Sequence, residues 1–289
     1  MHRWSRRRPA LESLFVAPRR TSCAGGRHRH FTGARAVRES VRVIQFKHIR
    51  KSFGPKVVLQ DVSFEVRTGE CFFIIGASGV GKSVLIKHLV GLLSPDGGEI
   101  WLDDQEISRF DEEQMGPVRE RCAMVFQHST LFDSMTCAEN VALPLRKHKK
   151  LSVKESLSEA RRRLELVHMQ EFGDRYPPEL GDGMRKRVAI ARALTLDPEY
   201  VLFDEPTTSL DPVSARRVDK LIRELSDKLG VTSIVVSHDL MSIFSIADRI
   251  VMLYKGNVRL LGTREDFRNT QDGVIQQFIN GRAEGPMDL

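Results

Sequence analysis

Eight consecutive residues, Gly76-Ala77-Ser78-Gly79-Val80-Gly81-Lys82-Ser83, match the pattern G-x-x-x-x-G-K-[ST]. The residue types suit one task, holding the phosphates of a nucleotide. Glycines let the backbone curl so that successive N–H groups face an anion. A helix opening at the same point adds the positive end of its dipole. Lys82 reaches the β- and γ-phosphates, and the Ser83 hydroxyl is a ligand for Mg²⁺. Further on, Asp204 and Glu205 close an apolar run, Tyr200-Val201-Leu202-Phe203. Adjacent carboxylates at the C-terminal end of a strand face the crevice where α/β sheets bind ligands. There Asp204 would hold Mg²⁺ through water and Glu205 would poise the attacking water. A second apolar run, Ser233-Ile234-Val235-Val236-Ser237, ends in His238. Taken singly, a strand that ends in an acid or a histidine is more often a solvated surface feature.

The elements that must position these groups are legible around them. Cys71-Phe72-Phe73-Ile74-Ile75 reads as a buried strand before the glycine loop, and Val84–Val90 as the helix after it. Val41–Phe46 and Val57–Val66 have strand composition. Between them Lys51-Ser52-Phe53-Gly54-Pro55 reads as a turn that carries an aromatic. Ile100-Trp101-Leu102 reads as another strand. Residues 112–195 are expected to be mainly helical, with a short buried strand at Ala123–Phe126. A helix is expected over Ser152–Val167, then a break at Tyr176-Pro177-Pro178, then a long basic helix from about Leu180 to Leu194. Apolar strands alternating with helices such as Val213–Leu229 predict an α/β fold with a mostly parallel sheet.

Residues 1–40 hold ten Arg, no Lys and two acids, Glu12 and Glu39, which is +8. The chain carries +7, so the other 249 residues carry −1 and the high pI belongs to this segment. A nucleic-acid face on the folded domain is therefore not expected. The segment reads as a disordered extension or a start placed too early; an Arg-rich organellar transit peptide stays open. No run approaches the length of a membrane span, so a membrane partner must be a separate chain. Cys23, Cys71, Cys122 and Cys137 are scattered, without metal or C-x-x-C spacing, and read as reduced and cytosolic.

The order of phosphate loop, Gln127, Leu180-Gly181-Asp182-Gly183-Met184, Asp204-Glu205, Ser209-Leu210-Asp211 and His238 resembles the ATPase subunits of ABC transporters over residues 41–289. The resemblance implies a P-loop NTPase (RecA-like) core with an antiparallel β subdomain and an inserted helical subdomain at about 112–195. It implies that Phe53 stacks on adenine, that Gln127 links the Mg²⁺ site to the permease, and that His238 contacts the γ-phosphate. Asp211 would span a dimer in which two subunits sandwich two ATP molecules head to tail. Each phosphate loop would then be capped by the partner's Gly181-Asp182-Gly183. Cofactors would be ATP and Mg²⁺.

At finer grain, Leu131–Thr136, Glu139–Arg146, Ser245–Asp248 and Gln276–Pro286 resemble the ATPases of the Mla/MCE lipid transporters. That implies a permease, an MCE-domain lipid-binding protein and the cytoplasmic face of the inner membrane. Amino-acid importer ATPases share the stretch Glu139–Leu145 and remain the alternative. The chain departs from the family at its signature, usually Leu-Ser-Gly-Gly-Gln. Gly181 lacks the serine hydroxyl, and Asp182 puts a carboxylate where a phosphate is expected, so a degenerate regulatory subunit also stays open. A tandem translation-factor type would need two ATPase units, and a DNA-repair type a long coiled coil; the sequence has neither.

Overall fold

The computed structural model describes residues 43–287, all within one compact unit. The readings made of residues 1–40 lie outside the described residues. In chain order the first elements are β1 (Val43–Phe53), β2 (Lys56–Arg67), β3 (Cys71–Ile75), α1 (Lys82–Leu89), β4 (Gly97–Leu102), β5 (Gln105–Glu106), α2 (Glu112–Arg121) and β6 (Cys122–Val125). Next come α3 (Cys137–His148), α4 (Val153–Leu166), α5 (Asp182–Ala193), β7 (Tyr200–Asp204), α6 (Pro212–Leu229), β8 (Thr232–Val236) and α7 (Leu240–Ile246). The chain closes with β9 (Arg249–Tyr254), β10 (Asn257–Thr263), α8 (Arg264–Asn269) and α9 (Gly273–Ile279).

The strands form one sheet in the order β5-β4-β1-β2-β10-β9-β3-β8-β7-β6. From β9 to β6 every pairing is parallel. β4-β1-β2 is an antiparallel block, joined to β10 at Asn257 and Asp61. Every residue of β3, β7 and β8 is buried. That is the pattern of parallel strands covered on both faces, where side chains alternate between two cores. Phe73, Ile75, Val201, Phe203 and Val235 pack with residues of α3, α4, α5 and α6. Their neighbours Phe72, Ile74, Leu202, Ile234 and Val236 pack with α1, α2, β1 and β2.

The block 112–195 holds the expected short strand: β6 pairs with β7, and α2 buries Met115 and Val118 in the core opposite to that of α3, α4 and α5. One expectation changes. Phe53 is not in the turn but ends β1, opposite Lys56, because the hairpin closes through Gly54 and Pro55 alone.

Helix starts follow local chemistry. Ser152 and Thr136 cap α4 and α3 in reciprocal boxes with Glu155 and Glu139. Asp211 caps α6, accepting from the N–H groups of Val213 and Ser214 at 3.0 Å.

Candidate nucleotide site

The chain leaves β3 at Ile75 and enters α1 at Lys82, so the glycine loop joins a central strand to a helix N-terminus. Gly76 has φ 139°, and a Cβ there would lie 2.3 Å from the Leu253 carbonyl oxygen. Gly81 has φ 106°, and its Cβ would meet Leu59 at 2.6 Å. Both positions therefore require glycine on conformational and packing grounds. Lys82 Nζ donates to the carbonyls of Gly76 at 2.8 Å and Ala77 at 3.0 Å, bridging the loop from within. Burial holds the Lys82 ammonium below its usual range, opposed by Glu205 and Asp204. An anion in the loop would offset that desolvation.

The ends of β7 and β8 bring the acids and the histidine to the same rim. Ser83 Oγ donates to Asp204 Oδ1 at 2.6 Å. Glu205 Oε2 lies 2.8 Å from His238 Nδ1 and accepts from Thr208 Oγ1 at 3.1 Å. Glu205 has φ 50°, a left-handed backbone that costs a non-glycine residue free energy. Its N–H donates to the Val236 carbonyl at 2.9 Å, holding it against β8. A groove of about 480 Å³ collects Phe53, Ser78, Gly79, Gly81, Lys82, Ser83, Gln127, Glu205 and His238. Phe53 is 45% exposed, an aromatic face open at the groove's edge. Val80 packs on the core of the α1 side.

The structure does not bring every expected residue here. Gly181, Asp182, Gly183 and Asp211 line a second cavity of about 490 Å³ with Arg187, Ser209 and Ser214. Asp182 does not cap α5: the cap position is Gly181, without a side-chain bond, and Asp182 opens the helix. Its carboxylate is paired with Arg185 one turn on. Lys186, the next residue, points inward.

Lys186 is a contact that motif reading missed. It is 2% exposed and donates through Nζ to the carbonyls of Phe126 and Gln127, so α5 holds the segment that carries Gln127 into the groove. Burial lowers it to about 8 against the pull of Asp204 and Asp182. A lysine in a basic helix carries no sequence signal for such a role. Asn140 is a second such contact: it is fully buried, bonding Phe132, Met135 and Thr136, and fixes the loop before α3.

Residues 59–208 match the family described as ABC transporter. The chain belongs to the ABC-transporter family as an ATP-binding subunit. It is 37% identical over 245 residues to the intermembrane phospholipid transport system ATP-binding protein MlaF of Haemophilus influenzae, covering 85% of this chain and 93% of that one. It is equally, 37%, identical over 261 residues to the methionine import ATP-binding protein MetN of Brucella abortus, covering 89% of this chain and 70% of that one. A solved dimer of the ATP-binding cassette MJ0796 with ADP and Pi superposes at TM-score 0.69 and 30% identity, over 76% of this chain and 98% of that one. An ABC ATPase with a P-loop NTPase core thus accounts for the phosphate loop and for the two acids that end β7. Among the described residues no helix is long and apolar enough to cross a membrane.

Proposed function

We propose that this ABC ATPase hydrolyses ATP with Glu205 as the base that activates water, as the motor of a phospholipid transporter. The observation that carries the chemistry is one rim where Ser83 Oγ meets Asp204 Oδ1 at 2.6 Å and Glu205 Oε2 meets His238 Nδ1 at 2.8 Å, beside buried Lys82. A hydroxyl and a carboxylate in hydrogen-bond contact are a hard-oxygen pair that fits Mg²⁺, which supplies charge neutralisation of the phosphates when bound. Gln127, which also lines the groove, would complete that set. Lys82 and the glycine-loop amides bind the phosphates, Phe53 takes the base, and His238 contacts the γ-phosphate.

Each functional unit is a head-to-tail pair of this chain, because Gly181, Asp182, Gly183 and Asp211 line a cavity separate from the phosphate loop. A second copy would bring them over its nucleotide. The pair docks on a separate permease at the cytoplasmic face of the inner membrane through Gln127 and residues 128–145. Leu131 and half-exposed Phe132 are the apolar part of that surface. Lipid as cargo, with an MCE-domain protein as further partner, rests on the surface stretches Leu131–Thr136 and Gln276–Pro286 and on the likeness to MlaF. The equal likeness to MetN supports an amino-acid importer as the second reading.

The test is co-expression with the neighbouring permease gene product, followed by mass spectrometry of lipids in the purified complex and ATPase assays with phospholipid or with amino acids. Copurified phospholipid and lipid-stimulated turnover are expected. Stimulation by an amino acid alone would replace the lipid reading with the importer.

A further inference from the structure

α6 and α7, the helix that follows His238, are tied together by charged groups outside the lining of the nucleotide groove. Asp219 on α6 is buried, and its Oδ2 lies 2.8 Å from Arg216 Nη1 in ion-pair contact. Arg216 Nη2 donates to Asp239 Oδ2 and, at 3.2 Å, to Ser242 Oγ. The Ser242 hydroxyl lies 3.0 Å from Asp219 Oδ2 and 2.9 Å from Asp239 Oδ2, and its single hydrogen is shared between these two acceptors. Burial pushes the Asp219 carboxyl up to about 6, while the Ser242 hydroxyl and Arg216 pull it back. A buried carboxylate with this set of partners holds its geometry, since losing one partner leaves a charge unpaired.

Asp239 directly follows His238. Its Oδ1 caps α7, accepting from Met241 N at 3.0 Å and Ser242 N at 3.3 Å, and its own N–H donates to Ser237 Oγ at 3.0 Å. Ser237 N donates to the Ile74 carbonyl at the end of β3 at 3.3 Å. His238 is therefore carried on a backbone clamped at both neighbours, while its own side chain is 59% exposed. A ring this open is aimed by the backbone that bears it.

We propose that Arg216 and Asp219 are positioning residues that hold Asp239, and through it aim His238 at Glu205. The proposal rests on the assignment of Glu205 and His238 to the reacting end of the site. Neither Arg216 nor Asp219 touches the nucleotide groove. Their effect is on kcat through the His238–Glu205 contact and not on ATP affinity.

The experiment compares full-length protein carrying Arg216→Ala, Asp219→Asn, His238→Ala, and Arg216→Ala with His238→Ala, measuring kcat, KM for ATP and melting temperature. Arg216→Ala is expected to lower kcat about ten- to a hundredfold, the range that a charge-assisted hydrogen bond represents. KM should stay within about twofold, as for an interaction made only in the transition state. The double variant should be no slower than His238→Ala alone, because the removed ring leaves nothing to aim. Arg216→Lys should recover part of the rate. If Arg216→Ala does not fold, Ser242→Ala, which removes one hydroxyl from the same cluster, carries the same cycle with a smaller loss. An Arg216 effect of equal size with and without the histidine, or an unchanged kcat in a folded variant, overturns the proposal. If His238→Ala itself leaves kcat unchanged, the assignment of His238 fails first, and the proposal with it.

Discussion

The phosphate groove and the head of α5 both present a helix N-terminus, and they differ in how far one chain completes them. In the groove, Lys82 and Asp204 are buried, and the strained Glu205 backbone is bonded to β8. Lys82 is bonded to the loop carbonyls, Asp204 to Ser83 on α1, and Glu205 to His238 after β8. At the head of α5 the cap position is a bare Gly181, and Asp182 meets only Arg185 of its own helix, at 58% and 39% side-chain exposure. Such an exposed pair contributes about 0–1 kcal/mol. A sheet edge can preorganise chemistry in cis. A helix head at the surface carries only a half-site, and its meaning depends on what is placed over it.

The largest effect belongs to the completed site. Glu205→Gln should retain ATP binding and lose turnover ~10²–10⁴-fold, the contribution of a positioned general base. Wild-type turnover in that variant would remove Glu205 from its role. Lys82→Ala should act on binding itself, since it deletes charge-assisted bonds of about 1.5–3 kcal/mol each. Equilibrium titration with a fluorescent ATP analogue separates the two: affinity falls for the lysine variant and stays for the glutamine variant. The same defect in both would mean that the rim does not divide binding from chemistry.

The difference between the regions also explains what was legible in advance. The glycine loop, the apolar strands and their terminal acids are local patterns, because a parallel strand buried on both faces must be apolar throughout and a curled loop must be glycine-rich. β3, α1, β7 and β8 fall where the sequence places them. Phe53 was found by resemblance, but its place at the end of β1 needed the hairpin register. Lys186, Asn140, and the Arg216–Asp219 cluster were not legible. The partners that decide their roles lie 60, 8 and 23 residues away, although Arg216 and Asp219 themselves are three apart on α6. No periodicity reports on such pairs. The Asp182–Arg185 pair is an i,i+3 contact, open to sequence reasoning, whereas the inward turn of Lys186 was not.

A middle-sized effect tests the half-site. With Arg185 already on Asp182, the charge that would oppose a phosphate is largely answered within α5. What stays missing is the hydroxyl at Gly181. Gly181→Ser with Asp182→Gly, measured in the Glu205→Gln background, should tighten ATP-dependent dimerisation by about tenfold, the value of one charge-assisted hydrogen bond at the low end. The same pair of substitutions on the active chain should raise the ATPase rate. Arg185→Ala alone should weaken dimerisation, and Asp182→Gly should abolish that loss. Additive effects of Arg185→Ala and Asp182→Gly would show that the ion pair is not what shields the head of α5.

The smallest effect comes from the residue that joins the two regions. Lys186 lies one turn into α5, yet its ammonium ends on the Phe126 and Gln127 carbonyls at the wall of the groove. Burial brings it to about 8, from 10.5 for an unburied lysine. Between those values the unfolded chain holds a proton that the folded chain has released, so stability rises with pH across the window. The contribution is complete above 10.5 and is lost as pH falls through about 8. Integrated from pH 8 to pH 10, a separation of this size contributes on the order of 2 kcal/mol. Urea unfolding of wild type and Lys186→Met at the two pH values checks it. Wild type should gain that much relative to the methionine variant, which has no proton to lose there. Parallel pH dependences would mean that Lys186 reaches water in the folded chain. The groove and the head of α5 would then be joined only through the backbone, and the contrast between them would be sharper than the structure draws it.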